Sequence, residues 1–370
     1  MSYFSPHRPV LPNSADFGDP RVPGADRDGR IVDGRPRLFS RKISVAPMMD
    51  WTDRHCRYFH RLLAPHALLY TEMIVAKAIL RGDRARLLDF DPAEGPVALQ
   101  LGGCDPGELA EAAAFGAAAG YVEINLNVGC PSDRVKTGSF GACLMADPKL
   151  VAACVAGMRA AVSIPVTVKC RIGIDDRDSY EFFDAFAAAQ LDAGIDALIV
   201  HARAAILSGL SPKENREIPP LRYDYVYRLK RERPAATIVL NGGVADALAV
   251  RTHFAEGVDG VMLGRAAYHR PALLSELERE FSDPDWIAPR PEAVLERIQE
   301  YARRESAKGT RLHSITRHLH GLLAGADGAR AWRRFLSEIA AMPDAEAGIL
   351  SAALPLVTGR SAQERQVKYN

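Results

Sequence analysis

Val166-Thr167-Val168-Lys169-Cys170-Arg171-Ile172 is a short, largely apolar run. After it comes Ser179–Ala193, with Ala, Phe and Leu at helical spacing, and then Ala197–His201, apolar again. The hydrophobic period switches from strand to helix and back, which is the pattern of a parallel strand–helix–strand unit. The same alternation extends in both directions. The other short runs are Ile43–Met48, Leu68–Met73, Val97–Gly102, Val122–Asn127, Thr237–Asn241 and Gly260–Gly264, eight with the two above, and helical stretches such as Glu108–Ala119 and Pro148–Ala160 lie between them. Most of these runs are apolar on both faces, as strands of a buried parallel sheet must be. Eight strand–helix units in about 240 residues predict an α/β protein built as a (β/α)8 TIM barrel. An open doubly wound sheet is the alternative. It is weakened because the chain has neither G-x-G-x-x-G nor G-x-x-x-x-G-K-[ST], the usual phosphate loops of such sheets.

The regions flanking these units differ in composition. Residues 1–40 hold six Pro and four Gly with no hydrophobic period, and are expected to be a flexible N-terminal leader without a signal-peptide apolar core. The barrel is assigned to 41–288. Ala288-Pro289 and Arg290-Pro291 then break the chain, and a helical pattern with Gly breaks at Gly309 and Gly325 predicts a small C-terminal helical bundle over 289–358, before a flexible tail at 359–370.

Of the 370 residues, 48% are hydrophobic and 25% charged, which excludes a disordered or collagen-like chain. No apolar run is long enough to span a membrane. The six cysteines form no Cys-x-x-Cys pair and have no matching His spacing, so structural zinc and iron–sulfur clusters are not expected and a reducing cytoplasm fits. The formal net charge is only +1, from 47 Lys and Arg against 46 Asp and Glu, and on its face that argues against a nucleic-acid partner.

In a barrel of this kind the site lies at the C-terminal strand ends. Here those ends are polar: Met48-Met49-Asp50, Glu72, Gln100, Asn125 and Asn127, Lys169 and Arg171, His201, Asn241-Gly242-Gly243, and Gly264-Arg265. Buried polar groups need partners, so a ring of them points to a ligand rich in hydrogen-bonding edges. The glycines after strands seven and eight, with Arg265, suit a phosphate. Lys169 suits either a Schiff base or the stabilisation of negative charge on an electron-rich cofactor. His201 is a candidate donor to a carbonyl or phosphate. Cys130, in Asn127-Val128-Gly129-Cys130-Pro131-Ser132, is placed on a loop at the catalytic face as a nucleophile or a general acid, while Cys56, Cys154 and Cys170 are expected to be inert. The following segment Lys136–Gly141 is expected to be mobile and to order over a substrate.

Taken together, Val45–Asp50, Leu99–Gly102, Glu123–Ser132, Val168–Gly173, His201-Ala202-Arg203, Asn241-Gly242-Gly243 and Gly264-Arg265 resemble the tRNA-dihydrouridine synthases over roughly residues 40–345. Leu207–Arg216 and Gly328–Arg334 are similar to the Dus A subfamily. The resemblance implies FMN held by Pro47, Met48, Met49, Gln100, Lys169, His201, Asn241, Gly242, Gly243, Gly264 and Arg265, NADPH as reductant, and Cys130 as general acid. It implies tRNA as the partner, contacted by Asn127, Lys213, Arg216, Arg330 and Arg333, with uridines 20 and 20a of the D-loop as targets. Cys170 stands where the family commonly has Thr. No metal, membrane association or stable protein partner is implied, and a cytoplasmic monomer is expected. A lysine Schiff-base aldolase or another phosphate-binding barrel enzyme, and an RNA-binding chaperone on an inactive barrel, are the competing readings.

The charge distribution agrees with an RNA partner. Between Arg303 and Arg334 eight Lys and Arg face only Glu305 and Asp327, a net of +6, so the rest of the chain carries −5. Trp332 and Phe335, set between these arginines, are expected in the core.

Overall fold

The computed structural model describes residues 39–132 and 140–355. The expected leader up to residue 38, most of the predicted mobile segment after Cys130, and the expected tail lie outside the described residues.

Among the described residues nine parallel strands form one sheet: β1 (Ile43–Val45), β2 (Leu68–Tyr70), β3 (Ile74–Val75), β4 (Val97–Gly102), β5 (Glu123–Val128), β6 (Val166–Arg171), β7 (Ala197–His201), β8 (Ile238–Asn241) and β9 (Gly260–Leu263). β1 pairs with β9 through Ile43 opposite Val261, and with β2 through Ser44 opposite Leu68. β2 pairs with β4 at Leu69 opposite Val97. Eight strands thus close on themselves, while the two-residue β3 only extends the edge of β4. This is the (β/α)8 TIM barrel.

Several strands are shorter than their apolar runs. The run Ile43–Met48 yields only three strand residues because the ladder stops at Pro47. Ala46 still donates to the Leu263 carbonyl, but proline has no N–H to continue. Met48 turns instead, its amide bonded to Thr52 Oγ1 at 2.9 Å. The run Leu68–Met73 is likewise divided between β2 and β3.

Helix starts follow a repeated device. Asp105, Asp147, Ser179 and Asp246 each accept a first-turn backbone N–H with the side chain, and Pro106 and Pro148 occupy first helical positions. Strand residues alternate between two cores. Tyr70, Ala98, Ile199, Val239 and Met262 pack together inside the barrel, whereas Leu69, Leu99, Leu198, Leu240 and Val261 pack outward against the helices.

Beyond the barrel lie the helices Pro291–Ser306, Leu312–Thr316 and Ala329–Glu338, with short 3-10 turns at Leu319–Gly321 and Ala347–Ala353. Trp332 is fully buried and donates from Nε1 to the Leu319 carbonyl at 2.8 Å; Phe335 packs beside it. These helices are tied to the barrel helix Arg54–Leu63. Tyr301 stacks on Tyr58 with centroids 4.0 Å apart and bonds His55 Nδ1 through its hydroxyl at 2.7 Å. Asp53, the N-cap of that helix, takes Arg317 Nη2 at 2.5 Å and His318 at 3.0 Å. Burial opposes its charge, but the bonds from His318 and the Cys56 amide hold its carboxyl well below the usual range. Among the described residues no helix is long and apolar enough to cross a membrane, and no group of His, Cys, Asp and Glu is placed to hold a metal.

Candidate active site at the barrel mouth

The strand register brings the candidate residues to one end of the barrel. Asn127 on β5 lies opposite Lys169 on β6. One level on, Arg171, His201, Asn241 and Met262 form a row across β6 to β9. Asn241 donates to the Met262 carbonyl at 2.8 Å, holding its side chain across β9.

Lys169 makes no hydrogen bond or ion pair among the described residues. Burial, then the neighbouring Arg171, push its ammonium down to about 8. Burial and the same cations drive His201 well below its ordinary value, so its imidazole is neutral. An unpartnered, desolvated lysine is expensive to maintain in a folded chain. An electron-rich ligand would relieve that cost.

Gly242 and Gly243 make a close approach that no other residue can make. Gly242 has φ +109°, and a Cβ there would stand 2.4 Å from His201 Cδ2. Gly243 has φ +69°, and its Cβ would lie 2.7 Å from the Tyr223 hydroxyl. The Tyr223 hydroxyl itself donates to the Gly242 carbonyl at 2.7 Å, fixing the turn. A bare backbone beside the unpartnered Lys169 fits a phosphate-bearing, electron-rich ligand. Gly264 is not sterically required in the same way, since its Cβ would meet only Met48 Sδ at 3.8 Å. Arg265 is already paired with Glu217 at 2.6 Å, so it meets an anion in competition with a carboxylate. Met49 is mostly exposed on the loop after β1.

Cys130 is half-buried, with its backbone held from several sides. Its amide donates to Asn127 Oδ1 at 3.0 Å, its carbonyl accepts from Ala142 at 2.9 Å, and its Sγ lies 3.4 Å from Ser132 Oγ. By contrast Cys56, Cys154 and Cys170 are fully buried, and burial pushes the thiols of Cys154 and Cys170 up to about 12. Asn127 is occupied at both ends of its amide, donating to Gln100 Oε1 at 2.8 Å and accepting from Gly129 and Cys130. One Nδ2 hydrogen is left for a ligand.

Arg171 is a site residue that sequence reasoning noted at a strand end but did not select. It is buried among carbonyls only: Gly129 at 3.1 Å, Ala204 at 3.2 Å and Asn215 at 2.9 Å. It therefore fastens the Cys130 loop to two others and leaves its charge uncompensated by any carboxylate among the described residues. Its position two residues after Lys169, on the same strand face, was the available signal. Lys213 and Arg216 are exposed on or beside the short turn Glu214–Arg216.

The eight basic residues between Arg303 and Arg334 divide evenly. Arg304 pairs with Asp91, Lys308 with Glu305, Arg317 with Asp53 and Arg334 with Glu338. Arg303, Arg311, Arg330 and Arg333 are exposed with no ion pair among the described residues. Arg330 and Arg333 are three apart on the helix Ala329–Glu338 and so share a face.

The family model "Dihydrouridine synthase (Dus)" matches residues 44–357. Several proteins named tRNA-dihydrouridine(20/20a) synthase are similar over nearly their whole length. The one from Xanthomonas campestris is 56% identical over 310 residues, covering 83% of this chain and 90% of the relative. That of Escherichia coli K12 is 53% identical, covering 87% and 93%, and that of Synechocystis is 54% identical, covering 84% and 93%. A barrel mouth that holds an unpartnered lysine, a bare glycine turn and an anchored cysteine agrees with that match: the chain belongs to the dihydrouridine synthase family.

Proposed function

We propose that this chain is a tRNA-dihydrouridine(20/20a) synthase, a cytoplasmic monomer that reduces uridines 20 and 20a of the tRNA D-loop with FMN as prosthetic group and NADPH as reductant. The observation that carries the reading is Cys130, anchored on its loop at the same barrel end as the unpartnered Lys169 and the Gly242-Gly243 turn.

Pro47, Met48, Met49, Gln100, Lys169, His201, Asn241, Gly242, Gly243, Gly264 and Arg265 would hold FMN within residues 41–288. When bound, FMN supplies the hydride that reaches C6 of the uracil. The Cys130 thiol gives its proton to C5, and its sulfur is reprotonated from solvent; hydride plus proton complete the saturation of the C5–C6 bond. Arg171, bonded to the Gly129 carbonyl, keeps that thiol in place and favours negative charge nearby. Lys169 stabilises electron density on the ligand beside it. A stacked uridine cannot reach this depth, so the target base must be turned out of the tRNA fold. Asn127, Lys213 and Arg216 would meet the nucleotide at the mouth. Arg330 and Arg333, within the helical region 289–358, would meet phosphates farther along the RNA.

The test is dihydrouridine mapping in tRNA from cells lacking this chain, complemented with the wild type or with Cys130→Ala. Loss at 20 and 20a, restored only by the wild type, is expected. Purified Cys130→Ala should retain its yellow flavin and lose most of its turnover. Full complementation by Cys130→Ala, or a wild-type protein that does not take up FMN, would overturn the reading.

A further inference from the structure

The barrel interior holds an unbroken line of polar side chains that runs from its N-terminal end to the Cys130 loop. Glu123, at the start of β5, is fully buried. Its Oε2 accepts from Arg41 Nε at 2.7 Å, and its Oε1 accepts from the Tyr70 hydroxyl and the Thr167 hydroxyl, both at 2.6 Å. Thr167 Oγ1 accepts from Asn125 Nδ2 at 2.8 Å. Asn125 Oδ1 accepts from Gln100 Nε2 at 2.7 Å, and Gln100 Oε1 accepts from Asn127 Nδ2 at 2.8 Å. Asn127 Oδ1 then receives the Gly129 and Cys130 amides at 3.2 and 3.0 Å.

Both ends of this line have a fixed sense. A carboxylate with three donors on it only accepts; a backbone N–H only donates. Every amide between them is therefore oriented by logic rather than by preference. Asn127 must turn its oxygen to the loop, so its nitrogen faces Gln100. Gln100 must then turn its nitrogen to Asn125, and Asn125 its nitrogen to Thr167. Reversing the line would set the Asn127 NH2 against two backbone N–H groups and expel the loop. Thr167, Asn125 and Gln100 are each almost wholly shielded from solvent, so water cannot replace a lost member.

We infer that Glu123 is a positioning residue for Cys130: it sets the donor direction of the Thr167–Asn125–Gln100–Asn127 line, which fixes the cysteine loop and the face Gln100 offers to the cofactor. This rests on the reading of Cys130 as the proton donor. It adds a determinant at the far end of the barrel, reached through four intervening side chains.

The test uses the flavin-loaded enzyme and three variants, with kcat, KM for tRNA and flavin content measured for each. Thr167→Val keeps the shape and removes the hydroxyl; Thr167→Ser keeps the hydroxyl and removes a methyl. Thr167→Val is expected to lose about tenfold in kcat, the rate equivalent of one neutral hydrogen bond, with KM and flavin content within about twofold of wild type. Thr167→Ser should stay within about twofold throughout. Asn125→Asp, nearly isosteric, can donate to Thr167 only when protonated, so its kcat relative to wild type should fall as pH rises. An unimpaired Thr167→Val, an equal loss in Thr167→Ser, or a pH-independent Asn125→Asp would each overturn the inference. Cys130→Ala in parallel keeps the two readings apart. If it is fully active, the proton donor itself is lost; if it is inactive while Thr167→Val is normal, only the positioning role is.

Discussion

Replacing Lys169 by methionine should make the flavin-free protein more stable and bind flavin worse. The drop of its ammonium from 10.5 to about 8 arises chiefly from burial. At roughly 1.36 kcal/mol per pH unit it amounts to about 3 kcal/mol, trimmed to about 1–3 kcal/mol by water reaching a group that is not wholly enclosed. The sign follows from linkage. The unfolded chain holds the proton up to about 10.5 and the folded chain only to about 8, so the penalty is complete below pH 8 and fades as pH rises toward 10.5. Methionine fills a similar volume without charge. Urea unfolding of flavin-free Lys169→Met at pH 7 should show a gain of about 1–3 kcal/mol that shrinks by pH 10. Flavin affinity should fall if, as proposed, the charge that destabilises the empty site is the one that meets the ligand. A variant no more stable than wild type at pH 7, or a gain independent of pH, would refute the desolvation argument. Unchanged flavin affinity would remove Lys169 from the cofactor site.

Gly242→Ala places a side chain at φ +109° and 2.4 Å from His201 Cδ2, so a strain of about 1–3 kcal/mol is added to the contact. Purified protein should carry less than a tenth of the wild-type flavin by absorbance, while its circular dichroism keeps the barrel signature. Arg330→Ala with Arg333→Ala should weaken tRNA binding and reduce the slope of log affinity against log salt by about 1.4–1.8, the contribution of two phosphate contacts, with flavin content unchanged. Arg304→Ala, which breaks a pair with Asp91, should change that slope much less.

The barrel was legible because its strands are buried on both faces, and burial writes itself into the sequence as continuous apolar runs. Where those runs misled, the cause was local backbone chemistry: β1 stops at Val45, just before Pro47, although the apolar run continues to Met48. Residues such as Gln100, Asn127, Lys169 and His201 stood out singly as polar groups at strand ends. Glu123 did not, because it opens β5 at the other end of the barrel and its relevance lies in three partners on other parts of the chain. Register across strands is a non-local property, and no spacing along the chain reveals that Thr167 bridges Glu123 and Asn125. Arg171 escaped for a related reason, since its acceptors are carbonyls of loops whose path the sequence does not fix.

The charge of the helical region shows the same separation between composition and geometry. A net of +6 between Arg303 and Arg334 invites the view that all eight basic groups face RNA. Half of them instead have a carboxylate partner. Arg304 and Arg317 reach Asp91 and Asp53 on the barrel, 213 and 264 residues away in sequence, and thereby hold the helices against it. Such pairs contribute little to RNA attraction because their fields are locally cancelled. What remains is Arg303, Arg311, Arg330 and Arg333, whose charges project into solvent. The division has a functional logic. If the helical region grips the RNA backbone, as proposed above, a flipped uridine is delivered to the barrel mouth only when that surface keeps a fixed distance from it; on that reading part of the positive charge fastens the surface to the barrel, through Arg304 and Arg317, and the rest is left to steer a tRNA onto it.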